Sequence, residues 1–189
     1  ATVGFEGGAC MGIPVLTALH AVALLGEISS KTILVTGGGS GVGYYVTQVA
    51  SRVGGASVIA TAGSDARRNL ATAAGAAAVI DYKAQAVPEA IRSLTGGKGV
   101  DAIVDLDFSG TASLLDHDIL TPHGTIVVYG SNAATAVLPM RRMTLDSLKI
   151  CAFLVYELSP DFVDDVAAAA PFVGPNEERA IVACARECG

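Results

Sequence analysis

The residues best placed to do chemistry form a short run early in the chain, Gly37-Gly38-Gly39-Ser40-Gly41-Val42-Gly43. Glycine at this density lets a chain reverse tightly and leaves backbone N–H groups open to an anion. A helix starting there would turn its partial positive charge toward the same anion. That is the chemistry of holding a pyrophosphate rather than of moving a proton or an acyl group. Glycine runs also mark ordinary turns. The apolar run Thr32-Ile33-Leu34-Val35 before this one and the helical pattern Val42 to Val53 behind it supply the strand–turn–helix context that a nucleotide site requires. Gly38, Ser40, Gly41, Val42 and Gly43 are therefore the candidate phosphate-binding residues.

The next strand, Ser57-Val58-Ile59-Ala60-Thr61, runs into Ala62-Gly63 without an acidic residue. An NAD site places Asp or Glu at this point to hold the ribose hydroxyls. Here Asp65 reads as the first residue of the following helix, while Ser64, Arg67 and Arg68 surround the turn and could donate to a 2′-phosphate. The expected cofactor is NADP. A solvated arginine pair is the plainer reading of the same residues.

Asp105 to Ser109 and Gly130-Ser131-Asn132 follow the fourth and fifth strands, at the carboxyl ends where doubly wound sheets bind ligands. Asp105 and Asp107 read equally well as solvated loop acids. His20, His117 and His123 have no partner in sequence and read as structural. Cys10, Cys151, Cys184 and Cys188 form no CxxC pair, which suits free thiols in a reducing compartment; Cys184 and Cys188, four apart, have no nearby histidine. No metal site and no catalytic residue emerge.

The elements that must position these residues alternate. A helix runs from Pro14 to Gly26, and further helices are predicted from about Asp65 to Gly75, from Pro88 to Thr95, from Thr111 to Leu120 and after Pro160. Further strands are predicted at Ala78–Ile80, Val100–Leu106, Thr125–Tyr129 (after a turn at Pro122-His123-Gly124) and Leu148–Leu154. Strands alternating with helices through short Gly/Pro turns call for a right-handed βαβ series. The expected fold is α/β: a single doubly wound parallel sheet of about six strands, a Rossmann fold, occupying residues 1–189 as one domain. Its core is expected to include Ile33, Val35, Val58, Ile59, Ile103, Val104, Ile126 and Val127. Residues 171–189 carry no deciding motif.

Composition agrees. Of 189 residues, 51% are hydrophobic and 16% charged, which suits a sheet buried on both faces and excludes disorder. The net charge of −6, without a basic block, argues against nucleic acid. Gly7 to Gly26 lacks any charged side chain, but Pro14 and several glycines favour a buried helix over a membrane span. The chain reads as cytoplasmic, with no membrane partner.

Two families use such a turn. The letters TGGGSGVG, from Thr36 to Gly43, fit the TGxxxGxG of short-chain dehydrogenases, but their YxxxK pair is absent throughout. A longer set of motifs runs in one order: Gly8-Ala9-Cys10-Met11-Gly12-Ile13-Pro14 with Thr17-Ala18, Gly38-x-x-Gly41-Val42-Gly43, Thr61 to Asp65, Gly75-Ala76, Ile80-Asp81-Tyr82, Leu94 to Asp101, and Gly124 to Val127. Over residues 8 to 155 the chain resembles zinc-free medium-chain dehydrogenases of the quinone oxidoreductase (zeta-crystallin-like) branch. It departs at Ser40, where zinc-dependent members have glycine, and at Gly38, where the branch has alanine; both residues are small enough to leave phosphate binding open.

That resemblance implies an NADPH-dependent reductase of quinones, enones or enoyl thioesters, with chemistry supplied by positioning the nicotinamide. It implies that Thr17 touches the nicotinamide and that Tyr82 lines the adenosine-phosphate pocket. It also puts Ile13 where zinc-dependent relatives carry a cysteine ligand. The family's catalytic domain precedes this region, so the chain is expected to be a fragment whose small-molecule substrate is held largely elsewhere. A homodimer is compatible with this reading. The alternatives are an enoyl-reductase piece of a multidomain synthase and an NADP-binding module without turnover.

Overall fold

The computed structural model describes residues 12–162. Helix α1 spans Ile13–Ala23, with Pro14 in its first turn, where a missing N–H costs nothing. Strand β1, Thr32–Val35, leads through the glycine turn into α2, Gly41–Gln48, which continues as a π-helical turn over Val49–Val53. Then come β2, Ser57–Ala62; α3, Asp65–Ala74; β3, Ala78–Asp81; and α4, Val87–Leu94. The remaining elements are β4, Val100–Asp105; a short α5, Phe108–Thr111, continued as a 3₁₀ turn Ala112–His117; β5, Leu120–Val128; α6, Met140–Leu145; and β6, Lys149–Ala152.

All six strands pair in parallel, in the order β3-β2-β1-β4-β5-β6. Successive side chains on a strand face opposite sides, so the apolar runs feed two cores. Ile33, Val35, Val58, Ala102, Val104 and Val127 pack with α1 and α2 on one face. Leu34, Ile59, Ile80, Ile103 and Ile126 pack with Ile91 of α4 and Leu115 of the 3₁₀ turn on the other. All eight residues expected in the core are buried. No helix among the described residues is long and apolar enough to cross a membrane.

Two local expectations need correction, and one element was not expected. Residues 111–120 are not one helix: the α-turn tightens to 3₁₀ at Ala112, which buries Ala112 and Leu115, and Asp118 stops it with φ 54°. Pro122-His123-Gly124 is not a turn ahead of β5 but a bulge inside it. The register jumps from Val100↔Leu120 to Ala102↔Thr125, His123 takes φ 64°, and its N–H donates to the Asp146 carbonyl. Finally, α6 has no signature in the sequence, because its six residues bury no side chain and carry no amphipathic stripe.

The strand order reverses between β1 and β4. Ligands of open α/β sheets bind at the carboxyl ends on either side of such a switch point. The glycine turn leaves β1 there, and Asp105 ends β4 there.

Candidate dinucleotide site

The glycine turn is tied to β2. Gly37, with φ +66°, donates its N–H to Thr61 Oγ1 at 3.0 Å, and Gly38 donates to the Thr61 carbonyl at 3.0 Å. Ser40 caps α2: its Oγ accepts the Gly43 N–H at 3.1 Å. The N–H groups of Gly41 and Val42 take no acceptor among the described residues, and nothing lies within 4 Å of where a Gly41 side chain would start. Two open amides at a helix N-terminus under clear space are the donor set a pyrophosphate needs.

Close approaches account for three other glycines. A Cβ on Gly43 would lie 2.2 Å from the Gly37 carbonyl oxygen, one on Gly39 2.3 Å from the Arg67 carbonyl oxygen, and one on Gly38 2.6 Å from Ala60 Cβ. Gly38 is thus more than a small substitute for the alanine of the resembled branch: Ala60 occupies the room an alanine there would need. G38A is expected to lose roughly 1–3 kcal/mol by overpacking, and A60G in the same chain to restore most of it. Urea unfolding of the two single variants and the double variant measures this; a double variant no more stable than G38A would contradict it.

The contact between Gly39 and Arg67 sets the start of α3 against the turn. Ser64 caps α3, its Oγ accepting the Arg67 N–H at 3.4 Å, and Asp65 stands in the first turn as expected. Arg67 is exposed and its guanidinium has no partner among the described residues. Arg68 differs: it is paired to both Asp65 and Asp81, joining α3 to the end of β3. The Tyr82 ring lies over Gly63, its hydroxyl 2.5 Å from where a Cβ would be. Ser64, Arg67 and Tyr82 therefore surround the acid-free end of β2.

Across the switch point, Asp105 is buried and fully engaged rather than solvated. Its carboxylate accepts Thr36 Oγ1 at 3.0 Å, the Asp107 N–H at 2.8 Å and the Thr111 hydroxyl. Burial pushes its pKa up, against the pull of those hydrogen bonds. Asp107 is likewise a lacing residue. It accepts Ser109 Oγ at 2.6 Å, the Asn132 N–H at 2.9 Å and Asn132 Nδ2 at 2.6 Å, and the Ser109 bond first, then Asn132, hold it below the usual carboxylate range. Gly130 lies on this loop too, with the Leu106 carbonyl oxygen 2.2 Å from its would-be Cβ, while Ser131 Oγ donates to the Ala133 carbonyl at 2.8 Å.

Thr17 is buried in α1 and donates to the Ile13 carbonyl at 2.6 Å; Ile13 itself opens that helix and is 48% exposed. His20 packs edge-on against Phe153 and Phe162, and burial lowers its pKa. Cys10, Cys184 and Cys188 lie outside the described residues. Thr36, Thr61, Thr111 and Tyr129 belong to the site without standing out in the sequence. For Thr36 and Thr61 the available signal is a threonine ending an apolar strand.

A family model described as zinc-binding dehydrogenase matches residues 41–172. The quinone oxidoreductase of Rattus norvegicus is 30% identical over 162 residues, covering 85% of this chain and 49% of its own length. A phenolphthiocerol/phthiocerol polyketide synthase of Mycobacterium tuberculosis is 31% identical over 130 residues, 68% of this chain and 6% of that protein. Among solved structures, an NAD-dependent alcohol dehydrogenase superposes with a TM-score of 0.73 at 32% identity, over 80% of this chain and 44% of that one. The chain spans about half the length of the curated quinone oxidoreductase and alcohol dehydrogenase relatives it matches. With its switch-point crevice, open α2 amides and glycine turn, this chain belongs to the zinc-binding dehydrogenase family and is the nucleotide-binding domain of such an oxidoreductase.

Proposed function

We propose that the chain is the NADPH-binding domain of a reductase acting on quinones, enones or similar activated double bonds, and that it contributes no ligand to a catalytic zinc. The observation that carries the cofactor choice is the end of β2, where Thr61-Ala62-Gly63 offers no carboxylate and Arg67, unpaired among the described residues, stands against the turn at Gly39. A carboxylate there would repel a 2′-phosphate; a free guanidinium attracts one. Bound NADPH supplies a hydride. The open amides of Gly41 and Val42 would hold its pyrophosphate, while Ser64, Arg67 and Tyr82 would surround the adenosine ribose. Gly130, Ser131 and Asn132, fixed to the β4 loop through Asp107, would border the nicotinamide half along with Thr17. The alkyl side chain of Ile13, at the position the resemblance aligns with a cysteine ligand, cannot bind metal.

Calorimetric titration of the chain with NADPH and NADH tests the cofactor, and metal analysis of the same sample tests the zinc. NADPH is expected to bind at least tenfold tighter, with no stoichiometric zinc. Equal or reversed affinities would overturn the first half, and one tightly held zinc per chain the second. The similarity to a polyketide synthase supports a second reading, an enoyl-reductase piece of a multidomain synthase. Synthase domains encoded on either side of this segment in its gene would decide for it.

A further inference from the structure

The loop after β5 opens with Gly130, and residues 131–137 that follow are all exposed. Apolar burial therefore does not hold this loop. Its stem is fixed through the backbone: the Phe108 N–H donates to the Gly130 carbonyl at 3.1 Å, and the Leu106 carbonyl oxygen occupies the room of a Gly130 side chain. Beyond the stem, the hydrogen bonds that tie residues 131–137 to another element among the described residues all end on Asp107 or Ser109. Asp107 Oδ1 accepts the Asn132 N–H at 2.9 Å, and Asp107 Oδ2 accepts Asn132 Nδ2 at 2.6 Å. Ser109 Oγ donates to Asp107 Oδ1 at 2.6 Å and accepts the Ala133 N–H at 3.2 Å.

The anchor is itself held. The Asp107 N–H donates to Asp105 Oδ1 at 2.8 Å, the same oxygen that takes the Thr36 hydroxyl at 3.0 Å, and the Asp107 carbonyl accepts the Thr111 hydroxyl at 3.0 Å. Thr36 immediately precedes the glycine turn, and its Oγ1 accepts the Leu106 N–H at 3.0 Å. One hydrogen-bonded chain thus runs from the glycine turn, across the end of β4, to the loop after β5. We infer that Asp107 is a positioning residue for the dinucleotide, its carboxylate holding the loop after β5 at the spacing from the glycine turn that a ligand bridging the two requires. Asp107 acts through Asn132 and Ser109, not by touching the ligand. A loop without this anchor has to be ordered when the ligand arrives, which weakens binding. The loss falls on the nicotinamide half, because the adenosine half lies beyond the glycine turn on β2 and α3. This inference rests on the proposed placing of the two halves of the cofactor.

The test is calorimetric titration of the parent chain, D107A, D107N and the reciprocal swap D107N/N132D. Each is titrated with NADPH and with its adenosine half alone, 2′,5′-ADP; NADH and ADP form a second pair. D107A is expected to weaken dinucleotide binding about three- to tenfold and to leave the adenosine half unchanged. D107N sets two amide NH₂ groups face to face and is expected to do the same. The swap exchanges donor and acceptor within that pair and is expected to recover most of the dinucleotide affinity. Equal weakening of dinucleotide and adenosine half would mean a general packing role, and unchanged affinity would mean no role; either overturns the inference. A swap no better than D107N overturns it too, since this side-chain pair would then not be what holds the loop. Should D107A fail to fold, D107N carries the same comparison. A parent chain that binds neither a dinucleotide nor an adenosine half overturns the site assignment itself, an outcome distinct from a silent Asp107 variant.

Discussion

Replacing Gly43 with alanine is expected to cost about 3 kcal/mol of folding stability, while the same change at Gly41, two residues earlier, leaves stability at or slightly above the parent's. Both glycines lie in the first turn of α2. The difference lies in what surrounds them. A methyl on Gly43 would sit 2.2 Å from the Gly37 carbonyl oxygen and 2.9 Å from its carbonyl carbon. Those are backbone atoms, and the Gly37 N–H is itself bonded to Thr61, so the turn can yield only by pulling off β2. A methyl on Gly41 meets nothing within 4 Å, and alanine favours a helix over glycine by roughly 1 kcal/mol. Affinity is expected to separate the two differently. G41A folds but loses dinucleotide affinity by about tenfold, because the clear space it fills lies over the open amides. Urea unfolding and cofactor titration of the two variants check this. A G43A chain unfolding at the parent's midpoint would mean that the close packing of helix on turn is not what glycine provides there; a G41A chain binding normally would mean that the phosphate does not approach over that residue.

The parts legible in the sequence were those where one physical requirement dominates a run of residues. Short apolar strands such as Thr32–Val35, bounded by turn residues and alternating with helices, suit a parallel sheet covered on both faces, and all six strands formed. Glycines at a strand–helix junction left no other compact reversal. Asp65 was readable as a helix start because a first-turn acid acts locally on the helix dipole, whereas the capping role of Ser64 was not read. What escaped depends on contacts between residues far apart in the chain. Asp105 looks like a loop acid until Thr36, 69 positions earlier, comes to lie 3.0 Å away. Arg67 and Arg68 look alike in sequence; only the positions of Asp81 and Gly39 make Arg68 an ion-paired strut and leave Arg67 without an acidic partner among the described residues. Likewise the bulge at Pro122-His123-Gly124 is set by the Asp146 carbonyl that His123 reaches, not by its own turn-like letters.

That distinction between the two arginines leads to the second large effect. R67A is expected to weaken NADPH binding roughly tenfold to a hundredfold, corresponding to a charge-assisted hydrogen bond of about 1.5–3 kcal/mol, and to leave NADH binding nearly unchanged. The end of β2 carries no acid to exclude a phosphate. Gly39, through its contact with the Arg67 backbone, fixes the first turn of α3 beside the glycine turn. The guanidinium has no carboxylate competing for it among the described residues, so its charge is available to a ligand. Because the side chain is exposed, added salt is expected to narrow the NADPH–NADH difference in the parent. R68A supplies the control. Its guanidinium is shared between Asp65 and Asp81, so its loss is expected to loosen the packing of α3 on β3 and to lower stability, weakening both cofactors alike. If R67A changes both affinities equally, or R68A proves the discriminating variant, then the α3 N-terminus reads the ribose by some means other than a free Arg67. If neither substitution separates the two cofactors, no basic side chain at this turn selects the 2′-phosphate, and the preference for NADPH loses its physical ground.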